Sequence, residues 1–141
     1  MAITFIEDDG GRAKAGFKGR ADDCVCRAIA IAAALPYREV YDELNRRVKA
    51  ADGRGGKGAR EGVKRPIYEA YLRELGFTWT PTMKIGAGVT MHLRASELPR
   101  GRIIVRLSRH LAAVVDGELH DTFDCSRGGT RAVYGVFART K

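Results

Sequence analysis

The stretch IIVRLSRHLAAVVDGELHDTFD, residues 103–124, decides how this chain folds. Residues 103–107 and 111–115 are dominated by apolar side chains, many of them β-branched, 118–123 carries Leu119 and Phe123, and each segment has the length of a strand. Asp116-Gly117 joins the last two, and this pair favours the positive φ angles of a two-residue hairpin turn. Such a turn fixes the register, so that Val115 faces Glu118, Val114 faces Leu119 and Ala112 faces Asp121. Side chains alternate between the two faces of a strand. His110, Ala112 and Val114 therefore share a face with Leu119, Asp121 and Phe123. Asp121 comes to lie diagonally across from His110, within reach of it, whereas His120 points to the other side.

Upstream, the apolar period changes from that of strands to that of helices. CVCRAIAIAAAL, residues 24–35, is apolar nearly all round and predicts a buried helix closed by Pro36. Asp23 stands before it as an N-cap whose carboxylate can accept the first-turn N–H groups. Tyr37, Val40, Tyr41, Leu44 and Val48 recur at helical spacing and predict a second helix ending near Ala51. DGRGGKGAREG, residues 52–62, carries five glycines and predicts a flexible basic loop. It is not a phosphate-binding loop, because Gly56-Lys57 is followed by Gly58 and no hydroxyl residue. A third helix opens at Pro66, turns Ile67, Tyr71, Leu72 and Leu75 inward, and ends at Gly76.

The remaining segments are short. Residues 3–6 predict an edge strand, 10–20 a loop, 77–80 a strand and 132–138 the last strand. Residues 83–98 fit no pattern beyond a helical turn at 96–98. Helices first and antiparallel strands second define an α+β class. A length of 141 residues fits one domain spanning the chain.

Composition narrows the function. Hydrophobic residues at 45% and charged residues at 30% are a globular balance. The longest apolar run, residues 28–35, is too short to span a bilayer, so no membrane association is expected. Residues 1–9 lack the basic start and apolar run of a signal peptide, and a cytoplasmic location is expected. Three cysteines, Cys24, Cys26 and Cys125, are an odd set best read as reduced thiols. A net charge of +8 favours anionic partners, either nucleic acid or an acidic protein. No nucleic-acid fingerprint accompanies that charge, so nucleic acid is not the favoured partner.

Cys24 is the residue best placed for chemistry. A helix N-terminus offers partial positive charge and unpaired N–H groups, which stabilise a thiolate and also the oxyanion of a tetrahedral intermediate. Cys26 lies about 200° further round the helix and packs into the core. Of the three histidines, His110 alone has a suitably placed acid, Asp121. A carboxylate holds an imidazole in the tautomer that can deprotonate a thiol. Asp124, the competing orienter, has opposite parity and reads as a turn carboxylate before Cys125 and Ser126. His92 reads as structural or exposed. Cys24, Cys26, Cys125 and a histidine could offer four soft ligands, but the first two are too close inside one helix for a zinc site. No metal or cofactor is expected.

DDCVCRAIAIA with PYREVYDEL, followed by IIVRLSRHLAAVVDGELHDTFD, resembles the papain-like cysteine peptidases in their compact bacterial or phage form. The layout is also similar to that of the bacteriocin-processing double-glycine peptidases. There an Asp-Cys pair opens the central helix, a histidine opens an apolar strand and an acid lies on the next strand. The resemblance covers residues 20–48 and 101–125. It implies a papain-like fold, with the central helix opening at Cys24 and helices packed on a C-terminal antiparallel sheet. It also implies a cysteine hydrolase acting on a peptide or isopeptide bond of a protein substrate. Cys24 would be nucleophile, His110 general base and Asp121 orienter. The chain departs from the family in having no glutamine to complete an oxyanion hole, and Val25 where the double-glycine peptidases have glycine. Lys18, Arg20, Asp22 or a backbone N–H would then have to serve. The alternative is an inactive papain-like domain whose basic loop, residues 54–65, binds nucleic acid or an acidic protein.

Overall fold

Every residue from Val25 to Ala33 is buried in helix α1 (Cys24–Ala33), as an all-round apolar sequence requires. The helix stops two residues before the predicted end. Ala34 adopts a left-handed conformation (φ 56°) that returns N–H groups to the carbonyls of Ala30 and Ile31, and Pro36 follows. Helix α2 (Tyr37–Asp52) buries Tyr37, Val40, Leu44 and Val48, and helix α3 (Arg65–Glu74) buries Tyr68, Tyr71 and Leu72. Tyr68 takes the inward place that the sequence assigned to Ile67 and Leu75, which are only partly covered.

These elements belong to a computed structural model that describes residues 3–84 and 86–139. Met1 and Ala2 of the N-terminal stretch, Ile85 of the unassigned segment and the Arg54 side chain of the basic loop lie outside the described residues. The glycine-rich stretch expected to be flexible is pinned to α2. The Asn45 side chain accepts the Ala59 N–H at 2.8 Å, and Ala59 and Val63 are buried.

The strands are β1 (Thr4–Glu7), β2 (Phe77–Pro81), β3 (Met83–Lys84), β4 (Gly88–Val89), β5 (Arg102–Leu107), β6 (His110–Val115), β7 (Glu118–Asp121) and β8 (Gly135–Arg139). Six of them form one sheet in the order β1-β7-β6-β5-β8-β2, and β3 and β4 form a separate small hairpin. The sheet is antiparallel except for β1, which lies at the edge parallel to β7. The β6–β7 hairpin has the predicted register, with Val115 opposite Glu118 and Val114 opposite Leu119 across Asp116 (φ 47°) and Gly117 (φ 81°).

Two predicted strands are shorter than the sequence suggested. β7 ends at Asp121 rather than 123, because the Asp121 carboxylate accepts the Thr122 N–H at 2.7 Å and the chain turns away. β8 begins at Gly135 rather than 132, because residues before it bond instead to the unassigned segment: Leu93 N–H to Arg131 O, and Val133 N–H to Met91 O.

Both faces of the sheet are covered, which explains why β5 and β6 read as continuous apolar runs rather than alternating ones. Helix α1 packs on the face bearing Ile104, Leu111, Ala113 and Phe137. Ile103, Val105, Ala112, Val114 and Leu119 form the opposite layer with Leu93, Leu98, Cys125 and Val133. The result is an α+β architecture. Among the described residues no helix is long and apolar enough to cross a membrane.

One glycine marks a close approach inside this core. A methyl group on Gly135 would stand 2.0 Å from the Trp79 ring, which packs on Phe137. Gly135→Ala must displace that ring, and overpacking of this kind costs about 1–3 kcal/mol. Urea unfolding followed by the fluorescence of Trp79, the one tryptophan of the chain, is expected to show a lowered midpoint. An unchanged midpoint contradicts the packing described.

Candidate active site

β6 begins at His110 because a two-residue turn, Ser108-Arg109, with Arg109 at φ 55°, reverses the chain out of β5. Asp121 is the last residue of β7. The hairpin register sets the two diagonally, and His110 Nε2 meets Asp121 Oδ2 at 2.6 Å. Both side chains are shielded, 10% and 3% exposed, so the hydrogen bond operates away from bulk water. Because Nε2 faces the carboxylate, Nδ1 is the ring nitrogen left for another partner.

Cys24 stands on the same cleft as His110 and Leu111, close enough for the imidazole to act on its thiol. Burial pushes the thiol up, but His110, the Leu111 backbone and the charge of Arg27 outweigh it and hold Cys24 below the ordinary thiol value. For His110, burial favours the neutral ring. Its bond to Asp121 and the neighbouring Cys125 and Cys24 thiols win, raising it to about 11. Burial likewise works against an ionised Asp121, yet the His110 contact, the Thr122 N–H and Arg27 keep its carboxyl below the usual range. The three groups thus favour a thiolate, an imidazolium and a carboxylate together.

Cys26 behaves differently. It is fully buried, its Sγ lies 3.9 Å from the Tyr37 carbonyl, and burial pushes its thiol up to about 12. Of the two cysteines in CVC, only Cys24 opens onto a cleft.

Asp23 corrects an expectation. It precedes α1, but its side chain makes no cap hydrogen bond. Its buried carboxylate turns inward, where it pairs with Arg27, accepts the Tyr37 hydroxyl at 2.6 Å and lies 3.6 Å from Arg12 Nε. A buried carboxylate is stabilised more by a guanidinium and a hydroxyl than by exposed N–H groups alone. The first-turn N–H groups beside Cys24 are left without a side-chain cap.

Arg27 is the functional residue that reading the sequence missed. It is buried, bonds Asp23, and donates from Nη2 to Asp121 Oδ1 at 3.2 Å, while its Nε has no partner. The signal was present: an arginine inside the otherwise apolar CVCRAIAIAA must bring a buried counter-charge with it. Cys125 was also underread. Its Sγ lies 3.5 Å from Asp121 Oδ2, and ligand atoms of His110, Asp121 and Cys125 fall within 4.8 Å of one another. That group contains neither Cys24 nor Cys26, so the four-ligand set weighed from the sequence is not assembled.

The remaining residues occupy structural positions. Asp124 Oδ1 accepts the Ser126 N–H and hydroxyl at 3.0 and 2.7 Å, a turn contact. His92 contacts Glu97, and His120 Nδ1 lies 3.0 Å from Asp8 on the other side of the hairpin. Phe123 is exposed, with its ring centre 5.5 Å from that of His110.

A cleft of about 290 Å³ opens beside Cys24 and His110, walled by Val25, Val63, Tyr68 and Leu107. The basic loop borders the approach to Cys24, since Arg60 O accepts the Asp22 N–H at 2.8 Å and Arg60 Nε donates to Arg20 O at 3.1 Å. The Asp22 N–H is thereby used. Lys18 and Arg20 are exposed. No family model, curated protein or solved structure matches this chain.

Proposed function

We propose that this chain is a papain-like thiol hydrolase that cleaves a peptide or isopeptide amide. Cys24 is its nucleophile, His110 its acid and base, and Asp121 the orienter. The observation that carries the reading is that Cys24 and His110 share one cleft while the far side of the imidazole is bonded to Asp121, Nε2 to Oδ2, at 2.6 Å. A thiolate at Cys24 attacks the substrate carbonyl carbon, and the oxyanion that forms is stabilised by N–H groups of the uncapped first turn of α1. A first-turn N–H thus takes the place of the missing glutamine. The His110 imidazolium gives its Nδ1 proton to the leaving amine, and the acyl-thioester is released by water deprotonated at the same nitrogen. Asp121 keeps the ring turned toward Cys24 throughout.

Acyl transfer to Cys24 is measurable without knowing the natural substrate. Mixing with para-nitrophenyl acetate is expected to release a burst of nitrophenol equal to the protein, with an acetyl group on Cys24 by mass spectrometry. Cys24→Ala abolishes the burst. A burst that persists in that variant, or none in the wild type, contradicts the reading.

One observation favours a second reading, a metal centre. His110, Asp121 and Cys125 gather three ligand atoms within 4.8 Å. A metal there would replace the His110–Asp121 hydrogen bond. Stoichiometric zinc in freshly purified protein supports that reading; metal-free protein that gives the ester burst excludes it.

A further inference from the structure

The cleft beside Cys24 contains two arginines with no acidic partner. Arg106 and Arg109 line it, and neither makes an ion pair among the described residues. Arg106 is half-buried on β5, on the same cleft wall as Tyr68. Arg65, at the same cleft, is different: it is bonded to Glu69 at 2.7 Å and its guanidinium stacks on Trp79. Among the described residues no carboxylate lines the cleft.

A half-buried guanidinium without a counter-ion is costly, and this chain otherwise pairs its buried arginine twice, Arg27 with Asp23 and Asp121. Low-dielectric walls of Val25, Val63 and Leu107 strengthen the field that the two cations set up next to the nucleophile. A guanidinium binds a carboxylate through two parallel N–H bonds, which a neutral amide cannot match. We infer that the substrate of this site is an acidic peptide, which places a carboxylate against Arg106 and Arg109 when its scissile carbonyl reaches Cys24. The inference rests on the thiol-hydrolase reading and adds the substrate class.

Two alkylating agents separate the two claims. Iodoacetamide is neutral and iodoacetate carries the carboxylate; both transfer their carbon to the thiolate and release iodide. Rates at Cys24 are read by peptide mapping near pH 6 in low salt and normalised to glutathione. Iodoacetate is expected to be favoured by about tenfold, and the preference to collapse in high salt. Because the His110 imidazolium also attracts an anion, Arg106→Gln and Arg109→Asn isolate the cleft. Each is expected to lower the preference severalfold, with the iodoacetamide rate held within about twofold. Arg109 is exposed, so its variant tests the inference even if the strand variant unfolds.

Protection against iodoacetamide then identifies the carboxylate. Acetyl-Gly-Glu-Gly-amide protecting better than its glutamine counterpart assigns an acidic side chain, and acetyl-triglycine with a free carboxylate protecting instead assigns a peptide C-terminus. Equal protection by the glutamine peptide, or protection by oligothymidylate alone, overturns the inference. So does an iodoacetate preference that neither variant changes. Fast iodoacetamide labelling with no anion preference removes the substrate class and leaves the hydrolase; slow labelling by both removes the hydrolase and the substrate class with it.

Discussion

His110→Ala is expected to slow iodoacetamide labelling of Cys24 about a hundredfold at pH 6, because the reacting species is the thiolate and an ordinary thiol titrates near 8.5. In the wild type, burial raises the Cys24 thiol and four contributions lower it; two of those four come from His110. Without the imidazole, burial dominates and the thiol returns to or above the ordinary range. Reactivity at pH 6 then falls by the lost thiolate fraction. The same variant alters stability with a defined sign. The folded-state value of His110 is raised to about 11, so its contribution is complete below the unfolded value near 6.5 and is lost as pH rises toward 11. Urea midpoints of wild type and variant are therefore expected to differ most at pH 6 and to converge in alkali. A Cys24 that labels equally fast without His110 contradicts the contact.

The second large effect belongs to Arg27. Arg27→Met removes the cation between two buried carboxylates and leaves Asp23 to Tyr37 and the more distant Arg12, and Asp121 to His110. Breaking a buried pair in this way costs about 3–5 kcal/mol. Asp121 has its folded value depressed, with Arg27 one of the causes, so its contribution is present above the unfolded value near 3.9 and is lost as pH falls below it. In the variant Asp121 loses one of the groups that hold its carboxyl down and protonates more readily. The stability gap between variant and wild type is thus expected to narrow as the pH is lowered toward about 4. Adding Asp23→Asn to the variant removes one of the two buried charges that lost Arg27 and is expected to recover part of the loss in urea unfolding. A gap that is small at neutral pH, or that widens in acid, contradicts a charge-pairing role for Arg27.

The parts of this fold legible in the sequence are those that local chemistry decides. Asp116-Gly117 dictates a two-residue turn, the turn dictates the register, and the register alone brings Asp121 to His110. Helix α1 was legible because residues 24–35, apolar but for Arg27, leave no solvent-facing side. What escaped depends on partners distant in the chain. The inward turn of Asp23 needs Tyr37 and Arg27, and Arg27 in turn meets Asp121, 94 residues away. A cap motif weighs only the neighbouring N–H groups and cannot price those contacts. The parallel edge pairing of β1 with β7 is invisible for the same reason. Residues 83–98 hid because their role is to cover the sheet through Leu93 and Leu98, with strands only two residues long.

The pH dependence of Cys24 alkylation in the wild-type chain tests the proposed Cys24–His110–Asp121 unit most directly. Labelling by iodoacetamide, mapped by mass spectrometry from acid to alkaline pH, is expected to rise with a midpoint well below the ordinary thiol value of about 8.5, and then to hold a plateau. Cys26 and Cys125, both buried, are expected to stay unlabelled in the folded protein. A Cys24 midpoint at or above the ordinary thiol value contradicts the thiolate–imidazolium pair, and with it the catalytic reading.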